Sequence, residues 1–204
     1  MRYFVGARAY LARAKDCLLE TRNDALFYAA FELRCCVEAR QEAYLEAIEY
    51  INKKIRPWEI GKTAKTLASI FTSEKIAFVS IGFGEGKRYP MYYTPVSKRL
   101  IKGAEKLGEL LHSQKAFHAD EDVFWSTTRA EVLSVYRDAW LSCRGTLLAP
   151  PLWQSKTKQC TPSRWKTLMT NSAHLVERAV ARKTTISMRV NYLDQVPSNW
   201  VCDL

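Results

Sequence analysis

Residues 25–47, ALFYAAFELRCCVEARQEAYLEA, decide the fold class, because apolar residues recur there at helical spacing on two adjoining sides. At 3.6 residues per turn, Phe27, Phe31, Arg34, Glu38 and Leu45 fall along one side, and Leu26, Ala29, Leu33, Val37, Tyr44 and Ile48 along the next. A helix patterned this way is expected to be covered on both sides. Arg34 and Glu38 stand out on a side otherwise lined by Phe27, Ala30 and Phe31, where a charge needs a partner or a task.

Working outward, the preceding segment carries Tyr3, Ala7, Tyr10, Leu11, Ala14 and Leu18 in a helical stripe, which predicts a first helix from about Tyr3 to Glu20. Asn23 or Asp24 then caps the second helix, whose pattern runs on to about Asn52 before Pro57 stops it. So short a connection predicts an antiparallel pair. A short helix ending near Phe71 is one reading of the ambiguous residues 58–74. Next, KIAFVSIGF (75–83), the turn signal Gly84-Glu85-Gly86 and KRYPMYY (87–93) read as a β-hairpin, with Pro90 confining the return strand to an edge. A loop with extended segments fits the same residues.

Thr94-Pro95 predicts a third long helix, with threonine as cap and proline in its first turn, lined by Val96, Leu100, Ala104, Leu107 and Leu111 and ending around 112–114. Asp120, Glu121 and Asp122 place negative charge at the start of a fourth, which Gly145 ends. Pro150-Pro151 suggests a boundary. Residues 1–149 are therefore read as a helical bundle with a β insertion near 75–93, and residues 150–204 as a small α+β appendage with a helix over 164–182 and a strand over 185–192. The fold class is mainly α.

With 204 residues, 48% of them hydrophobic, the chain can bury one sizeable core, or a main domain with a small appendage. No stretch approaches the roughly 18 uninterrupted apolar residues of a membrane span, and arginine and lysine break up the N-terminal apolar runs that a signal peptide would need. No membrane partner is expected, and the cytoplasm is the expected compartment. Six cysteines, at 17, 35, 36, 143, 160 and 202, form no C-x-x-C pair and are read as free thiols.

The net charge of +10 is unevenly spread: residues 53–102 carry 11 basic and 3 acidic side chains, and residues 151–204 carry 8 and 3. Such blocks suit a phosphate-binding surface, because each neutralised phosphate releases a counterion. Acidic membranes or an acidic partner protein would use the same charge. Lys87, Arg88, Arg99, Lys102, Lys156 and Lys158 are the candidate nucleic-acid contacts. The first two lie beside Tyr89, Tyr92 and Tyr93, which could stack on bases or simply pack on the bundle.

No glycine-rich phosphate loop, nucleophile elbow or H-E-x-x-H motif is present. The three histidines, His112, His118 and His174, lack metal-ligand spacing, so neither a metal nor another cofactor is expected. On the third long helix Glu105, Glu109 and His112 share a side at spacings of four and three, where a carboxylate could set the state of the imidazole. Metal-free RNA cleavage needs a proton acceptor near the 2′-hydroxyl and a cation near the phosphate. His112 with Arg34 can supply both, Lys106 can add charge, and Glu109 can orient the histidine. The plainer alternative pairs Arg34 with Glu38 and leaves His112 as a helix-end residue.

The paired helices ARAYLARAKDCLLE and ALFYAAFELRCCVEARQEAYLEA, with LGELLH ending a later helix, resemble the HEPN superfamily over about residues 1–145. That resemblance implies a helical bundle that often dimerises, frequently in bacterial toxin, antitoxin or antiviral defence systems, where many members are metal-independent ribonucleases. Their motif has an arginine followed, after four to six residues, by a histidine. Here Lys106 and His112 have that spacing, with lysine in the arginine's place, and lysine lacks the planar fork that holds a phosphate. Two readings remain: a metal-independent ribonuclease acting on RNA, and a non-catalytic module that binds RNA or a partner protein.

Overall fold

The computed structural model describes residues 4–47, 59–70, 74–83, 88–112, 116–147, 152–154, 159–161 and 186–204. They are mostly helical, with a small antiparallel sheet. The helices are α1 (Ala7–Leu19), α2 (Ala25–Ala47), α3 (Ile60–Ile70), α4 (Lys98–Leu110) and α5 (Val123–Arg144). The strands are β1 (Ile76–Phe83), β2 (Arg88–Tyr93), β3 (Leu152–Gln154), β4 (Gln159–Thr161) and β5 (Ile186–Leu193). No helix is long and apolar enough to cross a membrane among the described residues.

Helix α2 is the centre of the bundle. Its Leu26, Ala29, Ala30, Leu33, Cys36 and Val37 are buried against α1, α4 and α5. Small residues at 29 and 30, with Ala14 of α1 and Ala104 of α4 also fully buried, let the helices approach closely. Arg13 of α1 holds Glu32 of α2 through a two-pronged ion pair, at 2.9 Å on each side. The expected burial on both sides of α2 is uneven: Phe31 stays half exposed, while Phe27 meets Trp125 edge-on at 5.9 Å. The part of the second helix expected beyond Ala47 lies outside the described residues.

The sheet runs β2-β1-β5, antiparallel throughout. Pro90 sits on the edge strand opposite Ser80, where its missing N–H breaks no inner ladder. Strand β5, expected in the C-terminal region, pairs along the whole of β1, so the expected hairpin is part of a three-stranded sheet. Period-two alternation turns Ala77, Val79 and Ile81 inward, where they form a second core with Tyr44, Leu67, Tyr93 and Leu147. The short β3–β4 pair forms a separate two-stranded ladder. The helix expected over residues 164–182 lies outside the described residues.

One expected cap is replaced by another. Helix α4 starts at Lys98, and Ser97 caps it by accepting a hydrogen bond from the Leu100 N–H at 3.1 Å. Thr94 is three residues too early because its hydroxyl is engaged elsewhere. It donates to the Ser142 carbonyl at 2.7 Å and accepts from the Gly145 N–H at 3.0 Å. The Tyr92 carbonyl accepts from Thr146 and Leu147 N–H at 2.8 and 2.9 Å, so the end of α5 is sewn to the sheet. Helix α5 itself begins as expected: Asp122 accepts from the Phe124 N–H at 2.9 Å. The chain's last residues return to the bundle, where Asp203 accepts from the Tyr136 hydroxyl at 2.7 Å and pairs with Lys15 at 2.8 Å.

This packing can be tested at a glycine and through the buried phenols. A Cβ at Gly145 would meet the Thr94 hydroxyl at 2.6 Å, the Thr94 backbone nitrogen at 2.8 Å and the Tyr92 carbonyl at 3.0 Å. Gly145→Ala should therefore lower the free energy of unfolding in a urea titration by about 1–3 kcal/mol, the scale of an overpacked core, although its own backbone angles suit alanine. Burial pushes the phenols of Tyr44, Tyr93 and Tyr136 above the ordinary value of 10.0. A raised folded-state pKa means that this stability is complete below the unfolded value and falls away as pH rises through the folded one. Thermal midpoints measured from about pH 8 to about pH 11 should be level at first and drop above about pH 10.

Candidate functional site

The end of α4 is the first region to which the sequence points. Gly108 lets the guanidinium of Arg34 of α2 come up against α4, since a Cβ there would fall on its Nη1. Arg34 is also 3.6 Å from Glu38, one turn along its own helix. Burial lifts the Glu38 carboxyl above its ordinary pKa against the pull of Arg34. His112 lies one turn beyond Gly108, exposed, with its backbone N–H donating to the Glu109 carbonyl at 3.3 Å. Arg34 and His112 thus approach the same end of α4, and Glu109 is exposed beside them.

Lys106 does not join them. Positions 106 and 108 are about 200° apart around a helix, and Lys106 turns to α5, where its Nζ holds Glu131 at 2.6 Å. The hydrogen bond and charge of Glu131 raise its pKa. The KLGELLH spacing is therefore present in the chain, but its lysine and the Arg34 guanidinium occupy different sides of α4.

The candidate phosphate contacts also divide. Arg99 grips Asp138 of α5 through both carboxylate oxygens, with Nε at 2.7 Å, so its charge is already matched. Lys102 is exposed on α4, at the mouth of a cleft beside α3. Arg88 is on β2 and, among the described residues, donates to neutral acceptors: the Ser80 hydroxyl at 2.9 Å, the Ser80 carbonyl at 3.1 Å and the Ser187 hydroxyl at 3.2 Å. Its orientation is fixed while its charge stays available. Lys87, Lys156 and Lys158 lie outside the described residues.

Around Arg88 the outer sheet face forms a surface that sequence reading found only in part. Strand alternation places Phe78 and Ser80 of β1, Tyr92 of β2, and Arg189 and Asn191 of β5 on the side away from the second core. Phe78 and Tyr92 have ring centroids 5.1 Å apart, and Tyr92 meets Trp200 at 4.9 Å. Arg144 sits over Trp200 and Trp140, at 5.6 and 4.9 Å from the ring centres. The result is a half-buried aromatic row flanked by the exposed guanidinium groups of Arg88 and Arg189. Of the tyrosines in KRYPMYY, Tyr93 is buried and Tyr92 faces outward.

Two polar residues of α2 were also missed, Arg40 and Gln41, at 6% and 1% exposure. They sit between Val37 and Tyr44 within the buried stripe, and that position was the available signal. Arg40 Nε donates to the Tyr44 hydroxyl at 3.1 Å, and the guanidinium lies 4.8 Å from the centre of the Tyr44 ring. Nearby, the thiols of Cys36 and Cys143 are 3.8 Å apart and reduced. The Cys36 hydrogen bond holds Cys143 below the ordinary thiol value, to about 7, with Arg40 contributing.

Among the described residues no three histidine, cysteine or acidic side chains gather as a metal site would require. No protein-family model, curated protein or solved structure matches this chain.

Proposed function

We propose that this protein binds single-stranded RNA on the outer face of the sheet and acts as a non-catalytic module in a nucleic-acid assembly. The observation that carries this reading is the row Phe78–Tyr92–Trp200 flanked by Arg88 and Arg189. Aromatic faces accept unstacked bases without regard to sequence, and the guanidinium groups pair with the phosphates between them. The basic blocks of the chain add the long-range attraction. The resemblance to HEPN proteins supports the same placement, among RNA-associated components of bacterial defence or toxin–antitoxin systems. Lys106, held by Glu131 on another side of α4 from Arg34, weighs against an assembled catalytic centre.

Fluorescence-anisotropy titration of labelled oligouridylate tests it. Tyr92→Ala should weaken binding about tenfold, within the ~1–3 kcal/mol that one stacked base contributes. Arg189→Glu should weaken it as well, and should lower the slope of log K against log salt by about 0.7, the change expected when one phosphate is no longer neutralised. Equal affinity of both variants and the unaltered protein would overturn the reading.

A second reading is favoured by the approach of Arg34 to the end of α4 that bears His112: metal-independent RNA cleavage, with His112 moving the proton of the 2′-hydroxyl and Arg34 meeting the phosphate charge. Incubation of RNA with the protein in EDTA separates the two. The binding-module reading expects no cleavage above background. Cleavage that disappears in His112→Ala at unchanged melting temperature would establish the enzyme instead.

A further inference from the structure

A cleft of about 450 Å³ opens between α2, α3 and α4, away from the outer sheet face. Its size is that of a small-molecule site. The walls are apolar, formed by Tyr44, Leu67, Tyr93, Val96 and Ile101. Into this lining α2 places Gln41, whose side chain is almost wholly buried. Its Nε2 donates to the Ile60 carbonyl at 3.3 Å, which fixes which end of the amide faces α3. The other end, Oε1, is buried with no hydrogen-bond partner among the described residues. An amide oxygen can accept two hydrogen bonds, and leaving it with none inside a protein is costly. The terminal torsion of glutamine is soft, so a small rotation presents Oε1 to a donor in the cleft.

The mouth of the cleft carries a second asymmetry. Lys98 is matched by Glu74 at 3.1 Å. Glu105 leans on Gly61, in the first turn of α3, where the helix dipole favours a carboxylate. Lys65 and Lys102 also line the cleft and form no ion pair among the described residues. An unmet acceptor at the apolar base and two unmatched cations at the rim define the two ends of a ligand.

We infer that this cleft binds a small organic anion with an aromatic body, an N–H or O–H donor at its inner end for Gln41, and a carboxylate at its outer end for Lys65 and Lys102. This site is separate from the RNA surface proposed above and does not depend on it.

Indole-3-propionate has each of these groups, and its binding to the full chain can be followed by calorimetry or by ligand-observed NMR. Saturable binding is expected. Methylation of the indole nitrogen and the substitution Gln41→Leu should each weaken it about tenfold, the scale of one buried hydrogen bond. Combining the two should weaken it no further, because both remove the same contact. Lys65→Glu with Lys102→Glu, both near the surface, should weaken binding at least fivefold and leave the fold intact. Arg189→Glu should leave it unchanged, which keeps this result separate from that of the RNA titration. Absence of saturable binding at millimolar probe, or binding indifferent to N-methylation and to the lysine substitutions, would overturn the inference whether or not Gln41→Leu folds.

Discussion

The hydroxyl of Tyr44 is the point on which the rest of the architecture turns. It donates to the Thr94 carbonyl and accepts from Arg40, and Thr94 in turn ties the Ser142 carbonyl to the Gly145 N–H. Four elements meet in this chain of bonds: the centre of α2, the end of β2, the entry to α4 and the end of α5. Buried hydrogen bonds of this kind are worth little individually, but each is expensive to leave half made. The helical core and the sheet core are consequently held in one register, with Tyr44 packing against Tyr93 at 5.7 Å.

From that junction the sheet acquires two unlike faces. Its inner residues complete the second core, and the alternation that sends Val79 and Ile81 inward necessarily sends Phe78 and Ser80 outward. An aromatic on the outer face has no core to enter, so Phe78 and Tyr92 pack against each other, and Trp200 extends the row. The arginines beside them are oriented by serines, as for Arg88, or left exposed, as for Arg189. Arg99 and Lys106 differ from them, because their charges are matched by Asp138 and Glu131.

Helix α2 shows how far a sequence pattern reaches into function. Arg34 stands out because it interrupts an apolar side, and its guanidinium does occupy the space that a side chain at 108 would need. Arg40 and Gln41 interrupt the more deeply buried side and were passed over, although their polar atoms are the less satisfied ones. Periodicity marks which positions are buried. It does not say whether a polar group there finds a partner, or where: Gln41 donates to Ile60 on another element, while Arg34 pairs with Glu38 one turn along its own helix.

What the sequence determined by itself was local. Apolar spacing set out the helix pair, Asp122 and Gly145 bounded α5, and the missing N–H of Pro90 marked an edge strand, because each signal acts within a turn or a strand. Tertiary structure decided the rest. Thr94 gave up the cap of α4 to Ser97 because its hydroxyl was taken by residues about fifty positions away. Strand β5 found its partner across more than one hundred positions, and the rotation of α4 between α2 and α5 parted Lys106 from Arg34. Long-range pairing and helix rotation depend on which surfaces meet in three dimensions, and no local window of residues carries that information.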